Sequence, residues 1–236
     1  MINSNEQLED NNYRILTEQT NLNSIDLDNK STSEIVKIFS EADKEPQKAV
    51  EQAIPQIVKA IDEIALRLKS NGRLFYIGAG TSGRLGVLDA SECPPTFCTN
   101  PNLVQGIIAG GVSSLTKSSE SLEDLSELAI NDLKDKIFSE KDVLIGITAS
   151  GRTPYVVAAL EYSKSIKALS ISITSVPPCD STFSNDIDIR LITGPEILAG
   201  STRLKAGTAA KMALNIISTS VMIKLGKVYG NRMIDL

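Results

Sequence analysis

Apolar residues beyond residue 72 are concentrated in five short runs, and the longer segments between them carry helical periodicity. The runs are rich in Val, Ile and Leu. This alternation predicts an α/β fold, with a mostly parallel sheet covered by helices on both faces. The expected strands are 74–77, 103–109, 143–148, 169–173 and 187–192, and the expected helices cover about 83–91, 114–134, 154–165 and 202–225.

The first part of the chain has a different pattern. Residues 1–30 are polar without an apolar period, which predicts an irregular arm. Ser31 and Glu34 have capping-box spacing and predict a helix start. Beyond Pro46, apolar residues recur every three or four positions and predict a second helix that starts or kinks at Pro55. We therefore expect an arm and helix over 1–50, and a main domain over 51–236.

Charge and composition limit the partners and the catalytic groups that this sequence can have. The 236 residues include 24 Lys and Arg against 29 Asp and Glu, and the net charge is −5. Nucleic acid is not an expected partner, because its phosphates require clustered cations. The sequence has no histidine, so a histidine-dependent catalytic triad is excluded and a zinc site is not expected.

Other features predict a cytoplasmic protein. The odd number of cysteines, three, fits a reducing compartment. The amino terminus lacks the basic start and apolar run of a signal peptide. No apolar stretch looks long enough to span a bilayer, so no membrane association is expected.

Two loops that follow apolar runs have the composition of phosphate-binding loops. Glycines allow close approach of the backbone to an anion, and hydroxyls and helix-opening amides donate to it. The alternative is a pair of strand-to-helix turns without a ligand. The candidate residues are Gly80, Thr81, Ser82, Gly83 and Arg84 in the first loop, and Ser150, Gly151, Arg152 and Thr153 in the second.

A dinucleotide site is a competing interpretation of the first loop. Gly78, Gly80 and Gly83 match the GxGxxG spacing. The expected acidic residue at the end of a following strand is not evident, and Pro94-Pro95 interrupts the usual spacing to it. A phosphorylated small molecule held between the two loops accounts for both of them.

Longer stretches resemble a known family, the N-acetylmuramic acid 6-phosphate etherases of the sugar-isomerase (SIS) domain superfamily. The resemblance covers nearly the whole chain from about residue 15. It is carried by residues 78–86 (GAGTSGRLG), 89–96 (DASECPPT), 149–156 (ASGRTPYV), 200–209 (GSTRLKAGTA) and 225–231 (LGKVYGN). Family members continue past the position of Asp235 with a helical segment that this sequence does not contain.

The resemblance implies a three-layer α/β/α SIS domain, a homodimer, and no metal or organic cofactor. It also implies a sugar-phosphate substrate that is cleaved to N-acetylglucosamine 6-phosphate and D-lactate. Two glutamates are essential in the family. One of them matches Glu92. The other lies in a segment that reads EGAED in the family and ESLED here, and it matches Glu123. The resemblance also places Glu120, in the same segment, at the substrate.

An elimination needs one acid and one base. Once the sugar ring opens, a base can remove the C2 proton while an acid protonates the ether oxygen, and water then adds to the unsaturated aldehyde. We assign Glu92 as the acid, which requires a raised pKa, and Glu123 as the base. Without the family, Glu92 is equally a helix-end carboxylate, and Glu123 is part of an acidic helix face.

Two other functions remain open. One is a non-catalytic SIS module that binds a sugar phosphate and regulates a partner, as in glucokinase regulatory proteins, and the other is an aldose–ketose isomerase. Four cations are candidates for the substrate's phosphate or carboxylate, although some are expected to be ordinary surface charges. They are Arg84, Arg152, Arg203 and Lys205.

Overall fold

A five-stranded parallel sheet organises the chain, as the alternating pattern predicts. The computed structural model describes residues 15–117 and 122–234. The strands are β1 (Leu74–Gly78), β2 (Val104–Ile108), β3 (Val143–Ile147), β4 (Leu169–Thr174) and β5 (Ile187–Arg190). Their order is β2-β1-β3-β4-β5, and every neighbouring pair is parallel. All five strands were predicted, with ends that differ by at most two residues.

Helices cover both faces of the sheet, which confirms the three-layer prediction. The helices are α1 (Thr32–Ala42), α2 (Glu45–Gln52), α3 (Ile54–Lys69), α4 (Gly80–Phe97), α5 (Ser126–Asp135), α6 (Pro154–Ser165) and α7 (Lys205–Lys224). Apolar residues of α2, α3, α4 and α7 share one core with one face of the strands. The other face packs against α5 and α6. A short antiparallel pair, β6 (Val228–Tyr229) and β7 (Arg232–Met233), follows α7.

The amino-terminal region follows the sequence pattern closely. Ser31 and Glu34 form the capping box: Glu34 accepts from the Ser31 amide at 2.8 Å and donates its own amide to Ser31 Oγ at 3.4 Å. The helix expected after Pro46 is divided at Ala53 into α2 and α3, and Pro55 lies in the first turn of α3, where its missing N–H is not needed. The arm makes short turns and is held by Ser24 Oγ, which donates to the Ile197 carbonyl at 2.6 Å.

Two expected helices differ from the prediction. The helix expected at 83–91 instead runs from Gly80 to Phe97. Both prolines lie inside its last turns without ending it, and Cys98 ends it in the left-handed conformation. The single helix expected over 114–134 is wrong. A 3₁₀ turn at Gly111–Leu115 and the later helix α5 take its place. Leu122 folds back towards β2, where a Cβ on Gly110 would lie 2.6 Å from its Cδ1.

The last helix, α7, differs from the expectation that no apolar stretch is long enough to span a bilayer. By length and composition, α7 would suffice to cross a membrane, although the sequence pattern suggested that no stretch was long enough. Half of its apolar window is buried in the fold, including Ala213, Leu214 and Ile217. It therefore has the character of a core helix, which passes the same test.

Candidate functional site

The two hydroxyl-rich loops lie side by side at the carboxyl ends of β1 and β3. These strands are neighbours in the sheet, with Gly78 paired to Ile147. From β1 the chain crosses to β2 on one side, whereas β3, β4 and β5 follow on the other. Ligands of open α/β sheets bind at such a switch point, in the crevice outside the carboxyl ends of the strands. The sequence predicted both loops and their convergence.

The first loop is very short, because Ala79 alone separates β1 from α4. No side chain in the described part of the chain caps this helix at Ala79. The amides of its first turn are therefore available to an anion, and the helix dipole adds favourable potential. Thr81 and Ser82 are half-buried in this turn, and Gly80 adopts a positive φ of 52°.

Gly83 permits the close approach of α4 to β1. A Cβ on Gly83 would lie 2.5 Å from the Gly78 carbonyl oxygen and 2.6 Å from Ile108 Cγ1. The Gly78 oxygen already accepts from the Ala109 amide at 3.0 Å, so it is fixed in the ladder beside β2. A side chain at position 83 would push the first turn of α4 away from the strand ends.

Gly83→Ala is therefore expected to destabilise the fold by about 1–3 kcal/mol through overpacking, although alanine is the better helix former. Gly207→Ala in α7 is the matched control, since its Cβ would meet its nearest neighbour at 3.3 Å. Thermal unfolding of both variants checks this. Equal melting temperatures for the two would contradict the assigned role of Gly83.

The second loop leads from β3 into α6. Thr148 and Thr153 bridge its two ends, with 2.9 Å between their hydroxyl oxygens. Gly151 has a φ of 69°, and the Ser150 hydroxyl accepts from the Arg152 amide at 3.2 Å. The described residues place no side-chain cap on α6 at Thr153. A second uncapped helix start therefore faces the same crevice.

The amino end of α7 completes the crevice. A narrow cleft is lined by Ser82, Ala149, Ser175, Thr202 and Gly207, among others. A Cβ on Gly207 would lie 3.4 Å from Thr81 Cγ2, so this helix abuts the first loop. Ser175 and Thr202 were missed by sequence reasoning. Their signal was weak, since single hydroxyl residues near strand and helix ends are common.

Glu196 caps α7 and was also missed. Its fully buried carboxylate accepts from the amides of Lys205 and Ala206, both at 2.9 Å. Burial raises the pKa of Glu196, and these two hydrogen bonds and the Lys205 charge oppose that change. Because α7 has this internal anion, its amino terminus is not a second phosphate site. No local signal identified it, because the carboxylate lies nine residues before the first amide that it caps.

The two loop arginines make contacts with backbone carbonyls. Arg84 donates to the carbonyls of Leu115 at 3.0 Å and Lys117 at 3.1 Å, so it holds the loop after β2. Arg152 donates through Nε to the Asp180 carbonyl at 2.6 Å and is exposed. Arg84 thus has a structural contact that the sequence could not indicate, whereas the side chain of Arg152 is held only through its Nε atom among the described residues.

The two glutamates are placed differently. Glu123 is half-buried in the turn before α5, and its carbonyl accepts from the Tyr155 amide at 3.0 Å, which places it beside the start of α6 and the second loop. Glu92 is exposed on α4, twelve residues beyond Gly80. At 1.5 Å per residue, that is about 18 Å along the helix. Glu120 lies outside the described residues.

Asp89 fixes the orientation of α4. Its buried carboxylate accepts from Tyr76 Oη at 2.9 Å, Asn215 Nδ2 at 2.8 Å and Ser218 Oγ at 3.1 Å. These partners belong to β1 and α7, so one carboxylate joins three elements. The helix face that carries Glu92 is set by this contact.

A larger cleft of about 660 Å³ lies on the other side of the α7 amino end. Its walls include Asn21 of the arm, Glu41 and Glu45 of the amino-terminal helices, and Pro195. Lys205 also lines it but is only 4% exposed, and its Nζ donates to the Thr193 carbonyl at 2.6 Å. Burial lowers the pKa of Lys205, while Glu196 and Glu45 act in the opposite direction. Lys205 is therefore engaged within the fold.

Family models match most of the sheet-forming region. The glucokinase regulatory protein N-terminal SIS domain matches residues 56–164, and the SIS domain matches residues 128–220. Among solved structures, a phosphoheptose isomerase from Francisella tularensis has a TM-score of 0.57 at 17% identity, covering 81% of this chain and 98% of that one. The phosphoheptose isomerase GmhA from Neisseria gonorrhoeae has a TM-score of 0.59 at 15% identity, covering 83% and 98%. These structures establish the fold.

Curated relatives are much closer in sequence. An N-acetylmuramic acid 6-phosphate etherase of Prochlorococcus marinus strain NATL1A is 83% identical over 95% of this chain and 72% of its own length. That of Synechococcus sp. strain CC9902 is 57% identical over 97% of this chain and 72% of its own length. With such identity over nearly its whole length, the chain belongs to the N-acetylmuramic acid 6-phosphate etherase family.

Proposed function

We propose that this chain is a carbon–oxygen lyase that cleaves the D-lactyl ether of N-acetylmuramic acid 6-phosphate, giving N-acetylglucosamine 6-phosphate and D-lactate. The observation that carries the proposal is 83% identity to a curated etherase over 95% of the chain. The convergence of two uncapped, hydroxyl-rich helix starts at the switch point supports a sugar phosphate as the ligand.

The phosphate binds between the loops in this proposal. Amides and hydroxyls of Gly80, Thr81, Ser82 and Gly83 approach it from one side, and Ser150, Gly151, Arg152 and Thr153 from the other. Arg84 acts indirectly, by holding the loop at Leu115 and Lys117.

The chemistry is an elimination followed by addition of water. Ring opening exposes the C1 aldehyde, which acidifies the C2 proton. Glu123 removes that proton, the C3–O bond breaks, and the ether oxygen takes a proton from Glu92 to leave as D-lactate. Water then returns a hydroxyl to C3 and a proton to C2. Each step uses a carboxylate acid or base and needs no further cofactor.

A second protomer supplies Glu92 to each site in this proposal. Glu92 is about 18 Å along α4 from the first loop of its own chain, whereas Glu123 lies beside the second loop. Glu92 is exposed on a surface formed by α4 and α7, which Asp89 joins through Asn215. Leu88 and Ile216 are also exposed on these helices, by 50% and 40%. Burial of this surface in a homodimer would supply the desolvation that a carboxylic acid needs to keep its proton.

The domain division and the cellular location of the protein are also predictions from the sequence. The division into an arm and helix over 1–50 and a sugar-phosphate domain over 51–236 is one of them. A cytoplasmic location is another, and the three unpaired cysteines, Cys93, Cys98 and Cys179, support a reducing compartment.

A non-catalytic regulator is the second candidate. The match of the glucokinase regulatory protein SIS model to residues 56–164 favours it. That match covers less of the chain than the etherases do, and it omits the 200–209 segment. An isomerase has only the fold in its favour, since the solved isomerases are 17% and 15% identical.

Incubation of the purified protein with N-acetylmuramic acid 6-phosphate tests the proposal. We expect equal amounts of D-lactate and N-acetylglucosamine 6-phosphate to form. Tight binding of the substrate without release of lactate would support the regulator instead.

A further inference from the structure

We infer that Arg203 binds the carboxylate of the substrate's lactyl group and is a specificity-determining residue. The inference rests on the proposed function, because it assigns a partner to a group that only this substrate carries. The substrate has two anionic groups, a phosphate on C6 and a carboxylate on the C3 ether. The two loops account for the phosphate, so the carboxylate needs a cation elsewhere at the crevice.

Most cations near the strand ends are already engaged. Arg84 donates to two carbonyls of the loop after β2. Lys205 is buried and donates to the Thr193 carbonyl. Arg190 donates to Asp188, to the Val176 carbonyl and to Ser181 Oγ. Arg152 is tied through Nε to Asp180 beside the second phosphate loop. Each of these positions is fixed by contacts within the protein.

Arg203 differs from all of them. It is exposed, and its guanidinium makes no hydrogen bond or ion pair with any residue the structure describes. Its backbone is nevertheless well held. The Thr202 carbonyl accepts from the Gly207 amide at 2.9 Å, and the Leu204 amide donates to the Ser201 carbonyl at 3.2 Å. A fixed backbone with an unpartnered guanidinium is suited to a ligand, because the arginine fork matches a carboxylate.

The position of Arg203 agrees with this role. The preceding residue, Thr202, lines the narrow cleft with Ser82 and Ser175. Gly207, four residues later, abuts Thr81 of the first loop. Arg203 directly follows a residue of the cleft wall, so it lies at the edge of the phosphate site.

A substrate-by-variant cycle tests the inference. The two substrates are N-acetylmuramic acid 6-phosphate and its lactyl carboxamide, which retains the ether but lacks the charge. Formation of N-acetylglucosamine 6-phosphate is the common measurement for kcat/KM. We expect the wild type to lose about 10–100-fold with the carboxamide, the range for a hydrogen-bonded charge. The kcat/KM of Arg203→Gln with the natural substrate should fall by about the same factor. Its kcat/KM with the carboxamide should be little lower still, because both changes remove the same interaction.

Lys211→Gln is the matched control, because Lys211 is an exposed cation in the second turn of the helix that follows Arg203. It should behave like the wild type with both substrates. Two results would overturn the inference. One is a combined loss of kcat/KM for Arg203→Gln with the carboxamide that equals the product of the two separate losses. The other is an unchanged kcat/KM of Arg203→Gln with the natural substrate. If the wild type forms no product, the proposed function fails instead, and calorimetric affinities for the two substrates and the same variants then test Arg203 in the same way.

Discussion

Replacement of Glu123 by glutamine is expected to abolish both lactate release and exchange of the C2 proton with solvent. In a stepwise elimination nothing happens before that proton leaves, so loss of the base stops every later event. Replacement of Glu92 should instead leave C2 exchange intact while lactate release falls by about 10²–10⁴-fold, the range for a general acid. Mass spectrometry of deuterium incorporation in heavy water, with a parallel lactate assay, separates the two roles.

Glu127→Gln provides the control, because Glu127 is an exposed carboxylate on the first turn of α5, close in sequence to Glu123. It should retain full activity. Exchange that survives in Glu123→Gln but vanishes in Glu92→Gln would reverse the two assignments. Full activity in either variant would remove that glutamate from the mechanism.

The phosphate of the substrate is expected to contribute most of its binding affinity. N-acetylmuramic acid without its phosphate should bind at least ~100-fold more weakly than the phosphorylated sugar, because the charge-assisted hydrogen bonds to the phosphate are lost. Ser82→Ala and Ser150→Ala should each reduce this ratio, since each removes one donor. Titration calorimetry with both sugars measures it.

Ser91→Ala is the matched serine control for that experiment. Ser91 is exposed on α4 and its hydroxyl donates to the Leu88 carbonyl at 2.8 Å, far along the helix from the first loop. Its affinity ratio should equal that of the wild type. Similar affinities of the wild type for both sugars would show that the two loops do not bind phosphate.

The sequence predicted the positions of the strands and of the two loops that follow them, because these depend on local pattern. Buried parallel strands are continuous apolar runs, and glycine and hydroxyl residues directly after them identify helix starts without needing distant contacts. The sequence did not reveal which charges are free. Arg84 and Arg203 look alike in the sequence, yet the first is engaged by carbonyls more than thirty residues later.

The sequence did not reveal the roles of two buried carboxylates either, because their partners lie elsewhere in the chain. Asp89 is joined to Asn215 and Ser218 across more than 120 positions, and Glu196 caps a helix that begins nine residues later. The break of the expected 114–134 helix also depends on a distant contact, between Leu122 and the turn at Gly110. Helical composition alone could not predict it, since tertiary packing overrides local propensity.

In the proposed mechanism, Glu123 of one protomer and Glu92 of another act on one phosphorylated sugar. Mixing purified Glu92→Gln and Glu123→Gln proteins, with subunit exchange, tests this arrangement. In a two-fold symmetric dimer, half of the dimers become mixed and each mixed dimer has one intact site. We predict that lactate release returns to roughly a quarter of the wild-type rate. Confirmed mixed dimers with no more activity than the separate variants would contradict a site shared between protomers.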